Sequence, residues 1–440
     1  MMSRMKLLVA VLLLFLVACG SDEGNVNNDN DSTDENIELS IMMFEGGFGS
    51  DWVEKSVEEF EEDNPNVSID LTASPDIDQQ LQPRVISGET PDIINPGPSF
   101  DIQEFIQNDG VLPLDEYLNT PAYESDENWI DTFDPSQFNL EIDGTYYGIP
   151  STFATSFIWW YNEQLFEDHG WDLPETWEDL YELKELANAE GIDVFALAGQ
   201  NPDYYFQGIF IPLVQKIGGL DAIESGLKLE EGAWSSEPFV EAAKESVRLV
   251  EEDMLLDGTM ALNHIEAQTQ FFQNKALFVM SGTWLEGEMQ DVITDDFKLR
   301  AFNQPVHPDG PSEEQKAIPV SSGWGGGWYV SNETEHADVA IEFLKHMTSK
   351  EAQSDMVEQR GVASTVLGTE EAIKSDALLS AVNLMDEADG YSYSPTELYD
   401  NYPEFARNVE AKFQGLMLGD ITVEEFIEYA EDEAQKMREN

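Results

Sequence analysis

The hydrophobic positions of this chain change period repeatedly, and each change marks an element. Ile37–Phe44 is a short, near-continuous apolar run, the pattern of a buried strand. Over Asp51–Asp63 the spacing becomes helical, with Trp52, Val53, Val57 and Phe60 on one face. Asn64-Pro65-Asn66 stops that helix, and Val67–Leu71 alternates as a second strand. Pro91-Asp92-Ile93-Ile94-Asn95 reads as the next strand, ending in the turn Pro96-Gly97-Pro98. Alternation of strand and helix at this spacing predicts an α/β body with a largely parallel sheet. Ligands of such sheets collect beyond the carboxyl ends of the strands, where Glu45–Ser50 and Asn95–Ser99 belong.

Further along, Thr152–Tyr161 is rich in aromatic and β-branched residues and predicts a strand that runs into a helix near Asn162. Thr176 is placed to cap another helix, with Glu178 and Asp179 in its first turn. From Ser236 onward helical spacing dominates, interrupted by strand patterns at Lys275–Met280, Lys298–Phe302 and Trp328–Val330. No internal repeat is visible.

The amino terminus has a different character. Arg4 and Lys6 precede the apolar run Leu7–Ala18, too short to span the ~30 Å hydrocarbon core of a bilayer as a helix. Basic residues before a short apolar stretch predict a secretory signal peptide over residues 1–18. Leu16-Val17-Ala18-Cys19 resembles the lipobox of bacterial lipoproteins, which implies that Cys19 becomes the lipidated first residue. Cys19 is the single cysteine, so no intramolecular disulfide forms. Residues 19–36 are Asn, Asp, Ser and Gly with little apolar content, the composition of a flexible acidic tether. The expectation is a body leashed to the outer face of a cell membrane, extracellular or periplasmic.

Composition narrows the partners. The 440 residues carry 89 acidic and 21 basic side chains, a formal net charge of -68. Hydrophobic content is still 41% and aromatics 11%, which excludes a disordered acidic chain. Nucleic acid and anionic lipid surfaces both require clustered Lys and Arg, so neither is a partner. A neutral or cationic solute fits the charge.

Several segments together resemble the extracellular solute-binding proteins of carbohydrate ABC importers. They are Phe60-Glu61-Glu62-Asp63-Asn64-Pro65, Gly88-Glu89-Thr90-Pro91-Asp92-Ile93-Ile94, Gly148-Ile149-Pro150, Trp160-Tyr161-Asn162-Glu163-Gln164-Leu165-Phe166, Pro174-Glu175-Thr176-Trp177-Glu178-Asp179-Leu180, Phe278-Val279-Met280-Ser281-Gly282-Thr283-Trp284 and Ala340-Ile341-Glu342-Phe343-Leu344. Glu163 departs from the family, which often has Lys there. The resemblance implies an α/β, two-lobe periplasmic-binding-protein fold of type II, maltose-binding-protein-like, with three inter-lobe crossings. It implies a first lobe of 37–150 plus 304–348 and a second of 151–303 plus 349–440. It also implies a monomer that closes over a sugar or oligosaccharide and delivers it to ABC permease subunits. Glu45-Gly46-Gly47-Phe48-Gly49, Gly232-Ala233-Trp234, His264-Ile265-Glu266-Ala267-Gln268 and Ser281–Met289 further resemble the branch that binds N-acetylglucosamine and diacetylchitobiose.

A sugar presents apolar C–H faces and a hydroxyl rim, so its receptor needs aromatic platforms beside carboxylates, amides and backbone groups. The resemblance places a stacking Trp at Trp284 and further aromatics at Tyr204, Tyr205 and Tyr399. Glu45, Phe48 and Asp51 flank the first loop, Asn95 ends the third strand, and Trp324 lies in a glycine run that permits close approach. Core packing and helix capping are the competing roles for Tyr204, Tyr205, Trp324 and Asp51. No phosphate-cradling glycine motif occurs, and the five scattered His residues form no metal-binding pattern, so no cofactor or metal is expected. The other readings are a secreted glycosidase, whose paired carboxylates composition alone does not exclude, and the same receptor fold serving a different neutral or cationic solute. Nucleophile-elbow and zinc-protease motifs are absent, and the expectation is a receptor without catalysis.

Overall fold

Strand β1 (Ile37–Phe44) is apolar on both faces because it lies inside a sheet covered on both sides. Leu39, Ile41 and Met43 pack with Trp52, Val53, Val57 and Phe60 of the helix Asp51–Asp63. Met42 points the other way, onto Ile77 and Leu81 of the helix Ile77–Ser87. This period of two recurs in every strand of the sheet's core, and burying each such side chain contributes roughly 1.5–3 kcal/mol.

The computed structural model describes residues 36–97, 99–135, 140–150, 152–153, 157–311, 313–320, 327–388 and 390–439. The expected signal peptide, Cys19, nearly all of the expected tether and Trp324 lie outside the described residues. Among those described, no helix is long and apolar enough to cross a membrane.

The other sheet strands, in chain order, are β2 (Val67–Ser74), β3 (Ile93–Asn95), β4 (Gly148–Pro150), β5 (Ile158–Asn162), β6 (Asp193–Ala196), β7 (Ala276–Ser281), β8 (Leu299–Phe302) and β9 (Gly327–Val330). They form two sheets, ordered β2-β1-β3-β9-β4 and β8-β5-β7-β6. In the first, β1 runs parallel to β2 and β3, whereas β9 is antiparallel to β3 and β4. In the second, β7 is parallel to β6 and antiparallel to β5, and β8 is antiparallel to β5. Each sheet therefore has its strands pointing one way except for a single reversed strand, β9 in the first and β5 in the second. Strands β5 and β9 each follow a passage of the chain from one sheet to the other, so the crossover rule that keeps successive strands of one sheet parallel does not govern them.

Each sheet has its own core. Around the second, Trp159, Val194, Phe195, Phe278 and Met280 join the helices Ile211–Leu227, Pro403–Met417 and Val423–Glu439. Its opposite face carries Ile158, Trp160, Val279 and Leu299 against Phe271, Phe272 and Phe297. The buried indoles of Trp159 and Trp160 donate to the carbonyls of Gly208 (2.8 Å) and Ser281 (3.0 Å), so their polar edges are satisfied.

The packing moves two of the expected borders. Gln304 donates to the Gly208 carbonyl at 2.6 Å and Gln215 to that of Glu314 at 2.6 Å, while Ala317 lies in the second core. Residues 304–319 thus stay with the second sheet, and the chain returns to the first only near Gly327. Buried Lys216 fastens that segment, donating to the Gln315 carbonyl and to Asn303 Oδ1 at 3.4 Å. In the other direction, Met356 and Val357 of the helix Lys350–Arg360 pack into the first core. The expected strand Thr152–Tyr161 is broken. Thr152–Phe153 forms a short antiparallel ladder with Ala363–Ser364, and β5 begins only at Ile158. Two segments that pass between the sheets therefore run side by side.

Candidate functional site

Strand β7 is followed by Gly282-Thr283-Trp284, which delivers the Trp284 indole to the loop that follows β1 in the other sheet. The indole meets the Phe48 ring edge to face, with centroids 6.2 Å apart and planes at 82°. Gly47 makes the approach possible, since a Cβ there would lie 2.9 Å from Trp284 Cβ. Phe157 meets Trp284 at 5.8 Å and Tyr204 at 4.9 Å, and Tyr204 stacks on His264 at 5.6 Å. Phe157 holds this place with φ of 54°, a left-handed conformation that costs a non-glycine residue on the order of 1–3 kcal/mol. The row Phe48, Trp284, Phe157, Tyr204, His264 thus spans both sheets.

Polar groups gather along the row. His264 Nε2 lies 3.5 Å from Glu288 Oε1, and that contact raises its pKa above the usual imidazole value. Glu288 Oε2, Thr283 Oγ1, Gln268 Oε1 and Gln207 Oε1 are buried without a hydrogen-bond partner. Orphaned polar atoms are uncommon in native interiors, and these four belong to residues on the segments that carry the row or adjoin it. Tyr399 donates to Glu410 Oε2 at 3.3 Å. Burial, reinforced by the neighbouring Asp203 charge, pushes the Glu410 carboxyl up to about 8. Burial likewise pushes Asp203 up to about 6, against stabilising backbone hydrogen bonds and the nearby His264. Directly beyond Tyr205 the chain makes a π-helical turn, Phe206–Phe210, and the Gly208 carbonyl within it accepts from two side chains. Such turns are rare and cluster at functional sites.

The expected site residues divide. Trp284, Phe48 and Tyr204 come together in the aromatic row, and half-buried Tyr399 joins the Asp203–Glu410 corner. Glu45, half-buried beside Phe48 in the chain, accepts from Ser50 Oγ at 3.2 Å. Three other expected residues have contacts within the fold. Tyr205 is fully buried and packs on Phe413, because its helical turn aims it into the second core while Tyr204 faces outward. Asn95 is buried and donates to the Gly327 carbonyl at 2.9 Å, so its amide joins β3 to β9. Asp51 opens its helix and pairs with Arg360 at 3.1 Å, an exposed structural contact.

Arg360 also donates to the Phe48 carbonyl at 2.8 Å and so clamps the first loop. Sequence reasoning missed Phe157, Asp203, Glu288 and Glu410. Asp203 adjoins Tyr204 and Glu288 lies in the Ser281–Met289 segment, but each is one acid among 89. Glu266, by contrast, forms a capping box with Asn263 and serves the helix His264–Phe272. A separate acidic concavity, lined by Glu59, Glu62, Asp63, Tyr123 and His346, shares no residue with the aromatic row.

Comparison with known proteins agrees with this architecture. A diacetylchitobiose binding protein, NgcE, of Streptomyces coelicolor is 26% identical over 366 residues, 80% of this chain and 75% of the relative. Among solved structures, a chitin oligosaccharide binding protein superposes with a TM-score of 0.71 at 21% identity, covering 88% of this chain and 94% of its own. The maltose/maltodextrin-binding domain MalE from Bdellovibrio bacteriovorus, bound to maltotriose, gives 0.68 at 18% identity, covering 92% and 100%. These likenesses establish a maltose-binding-protein-like two-lobe fold. Residues 49–354 match the profile of the bacterial extracellular solute-binding proteins, and the chain belongs to that family.

Proposed function

We propose that this chain binds an extracellular sugar or oligosaccharide between two lobes, one around each sheet, and delivers it to the permease subunits of an ABC importer. The observation that carries the reading is the aromatic row from Phe48 to Tyr204 with orphaned polar atoms beside it. Flat rings match the C–H faces of a sugar, and the unpaired acceptors match its hydroxyls. Since NgcE is named for diacetylchitobiose, an N-acetylglucosamine- or chitobiose-like ligand heads the candidates. Ligand acts by stabilising closure, with the two paired segments Thr152–Phe153 and Ala363–Ser364 as part of the hinge. The chain works as a monomer, and a lipid on Cys19 holds it at the membrane.

A thermal-shift and calorimetric panel tests the reading, using chitobiose with malto-, xylo- and cello-oligosaccharides. One class should raise the melting temperature and titrate to saturation. It should also shrink the radius of gyration and be recovered unchanged after prolonged incubation. Failure of every sugar, or release of hydrolysis products, overturns it. Labelling with radioactive palmitate, lost in Cys19→Ala, tests the anchor.

A further inference from the structure

His264 is set in place by two elements at once. It opens the helix His264–Phe272, whose start is fixed by the Asn263–Glu266 capping box. Its backbone N–H donates to Asn201 Oδ1 at 3.1 Å, which joins it to the helical turn that carries Tyr204. The imidazole stacks on Tyr204, with ring centroids 5.6 Å apart and planes at 21°. Its Nε2 lies 3.5 Å from Glu288 Oε1, while its side chain stays 33% exposed. Nδ1 is neither enclosed nor, among the described residues, hydrogen-bonded to any group of the chain.

In an imidazole whose Nε2–H faces a carboxylate, only Nδ1 changes role with the charge state: protonated it donates, neutral it accepts. The Glu288 contact favours the protonated ring against the effect of burial, and the Asp203 charge adds to it. Those two acids and Tyr204 are the titratable groups that face the ring. One fixed, charged donor thus stands at the end of the aromatic row. A hydroxyl serves as donor or acceptor equally, so this polarity does not select it. A carbonyl oxygen only accepts, and here it gains a charge-assisted hydrogen bond. A carboxylate on the solute would also accept, but Glu288 and Asp203 repel it.

Resting on the sugar-receptor reading, we propose that His264 is a specificity-determining residue, whose Nδ1–H donates to the acetamido carbonyl of an N-acetylated sugar unit. Glu288 is its positioning residue, holding the ring on Tyr204 with Nδ1 left open. Trp284 takes a sugar face whatever the substituent, so affinity for sugars in general and preference for acetylated ones are separable.

The experiment is isothermal titration of the full chain with N,N′-diacetylchitobiose and cellobiose, from about pH 5.5, where even an ordinary imidazole is protonated, to about pH 8.5. At the acid end the diacetyl dimer should bind about tenfold or more tightly than cellobiose, the scale of one charge-assisted contact. That margin should shrink to within roughly threefold as pH rises and the ring loses its proton. His264→Ala should abolish the margin at every pH, whereas His264→Gln, a neutral donor, should restore part of it without pH dependence. Glu288→Gln should keep the margin at the acid end and move its loss to lower pH. A margin that survives His264→Ala, or cellobiose binding as tightly as the diacetyl dimer, overturns this inference and leaves the receptor reading standing. If no sugar in any panel binds, both are wrong. Should the variants fail to fold, proton NMR of the unmodified chain decides: saturating diacetyl dimer should raise the His264 pKa, and an unmoved titration overturns the assignment.

Discussion

Trp284 and Phe48 stand edge to face at 6.2 Å, although one follows a strand of the second sheet and the other a strand of the first. An aromatic contact of this kind contributes about 0.5–1.5 kcal/mol beyond area burial, enough to favour approach of the two bodies without locking them. A ligand entering here competes with Phe48 for one face of the indole.

Trp284→Ala removes the ring that joins Phe48 to Phe157 in the aromatic row, the platform of the proposed function. Sugar affinity should fall on the order of 30- to 100-fold, the range of a buried aromatic anchor. Half-buried Trp284 is not a core residue, so the melting temperature should drop by only a few degrees. Calorimetry and circular dichroism on the same sample separate the two effects, and unchanged affinity would remove Trp284 from the site.

Gly49 has φ of +66°, and a Cβ there would lie 2.5 Å from an Arg360 guanidinium nitrogen. Gly49→Ala should therefore destabilise the chain by roughly 1–2 kcal/mol, from backbone strain and displacement of the clamp. Urea unfolding measures it. An unshifted midpoint would mean that Arg360 does not fix the loop in solution.

Lys216 is fully buried, and burial lowers its pKa from 10.5 to about 7. Between those values the unfolded chain binds more protons than the folded one, so this residue makes stability rise with pH across the window. The slope approaches about 1.4 kcal/mol per pH unit. The difference in unfolding free energy between the natural chain and Lys216→Met should carry that slope from about pH 7 to 10 and flatten below it. A difference independent of pH would show the ammonium to be solvated.

With 89 acidic and 21 basic side chains, self-repulsion opposes the compact state and counter-ions relieve it. Added sodium chloride should raise the melting temperature of the ligand-free chain by several degrees. We read the acidity as adaptation to a saline or alkaline habitat, and a melting temperature indifferent to salt would refute that reading.

Periodicity made much of the frame legible. Strand β1 and the helix Asp51–Asp63 lie where the pattern puts them, and Thr176 caps its helix as read. The site was less legible because its choices are made by direction and not by composition. Tyr204 and Tyr205 are chemically identical neighbours, yet the rotation of about 100° between consecutive helical residues sends them to different surroundings. Nothing local distinguishes Asp203 or Glu410 from the other carboxylates, because what sets them apart is burial produced by residues two hundred positions away. Phe157 was hidden by its own propensity: an aromatic in a β-branched run predicts a continuing strand, and its left-handed backbone breaks it.

Arg360 ends its helix three residues before Ala363, which pairs with Phe153 where the chain passes from one sheet to the other. The same guanidinium grips the Phe48 carbonyl. The loop that carries Phe48 is thus tied to the helix that leads into the paired segments between the sheets, and on the proposed function a push on the first is a torque on the second. On that same reading, occupancy becomes a single angle, which is the quantity a membrane partner can read from outside.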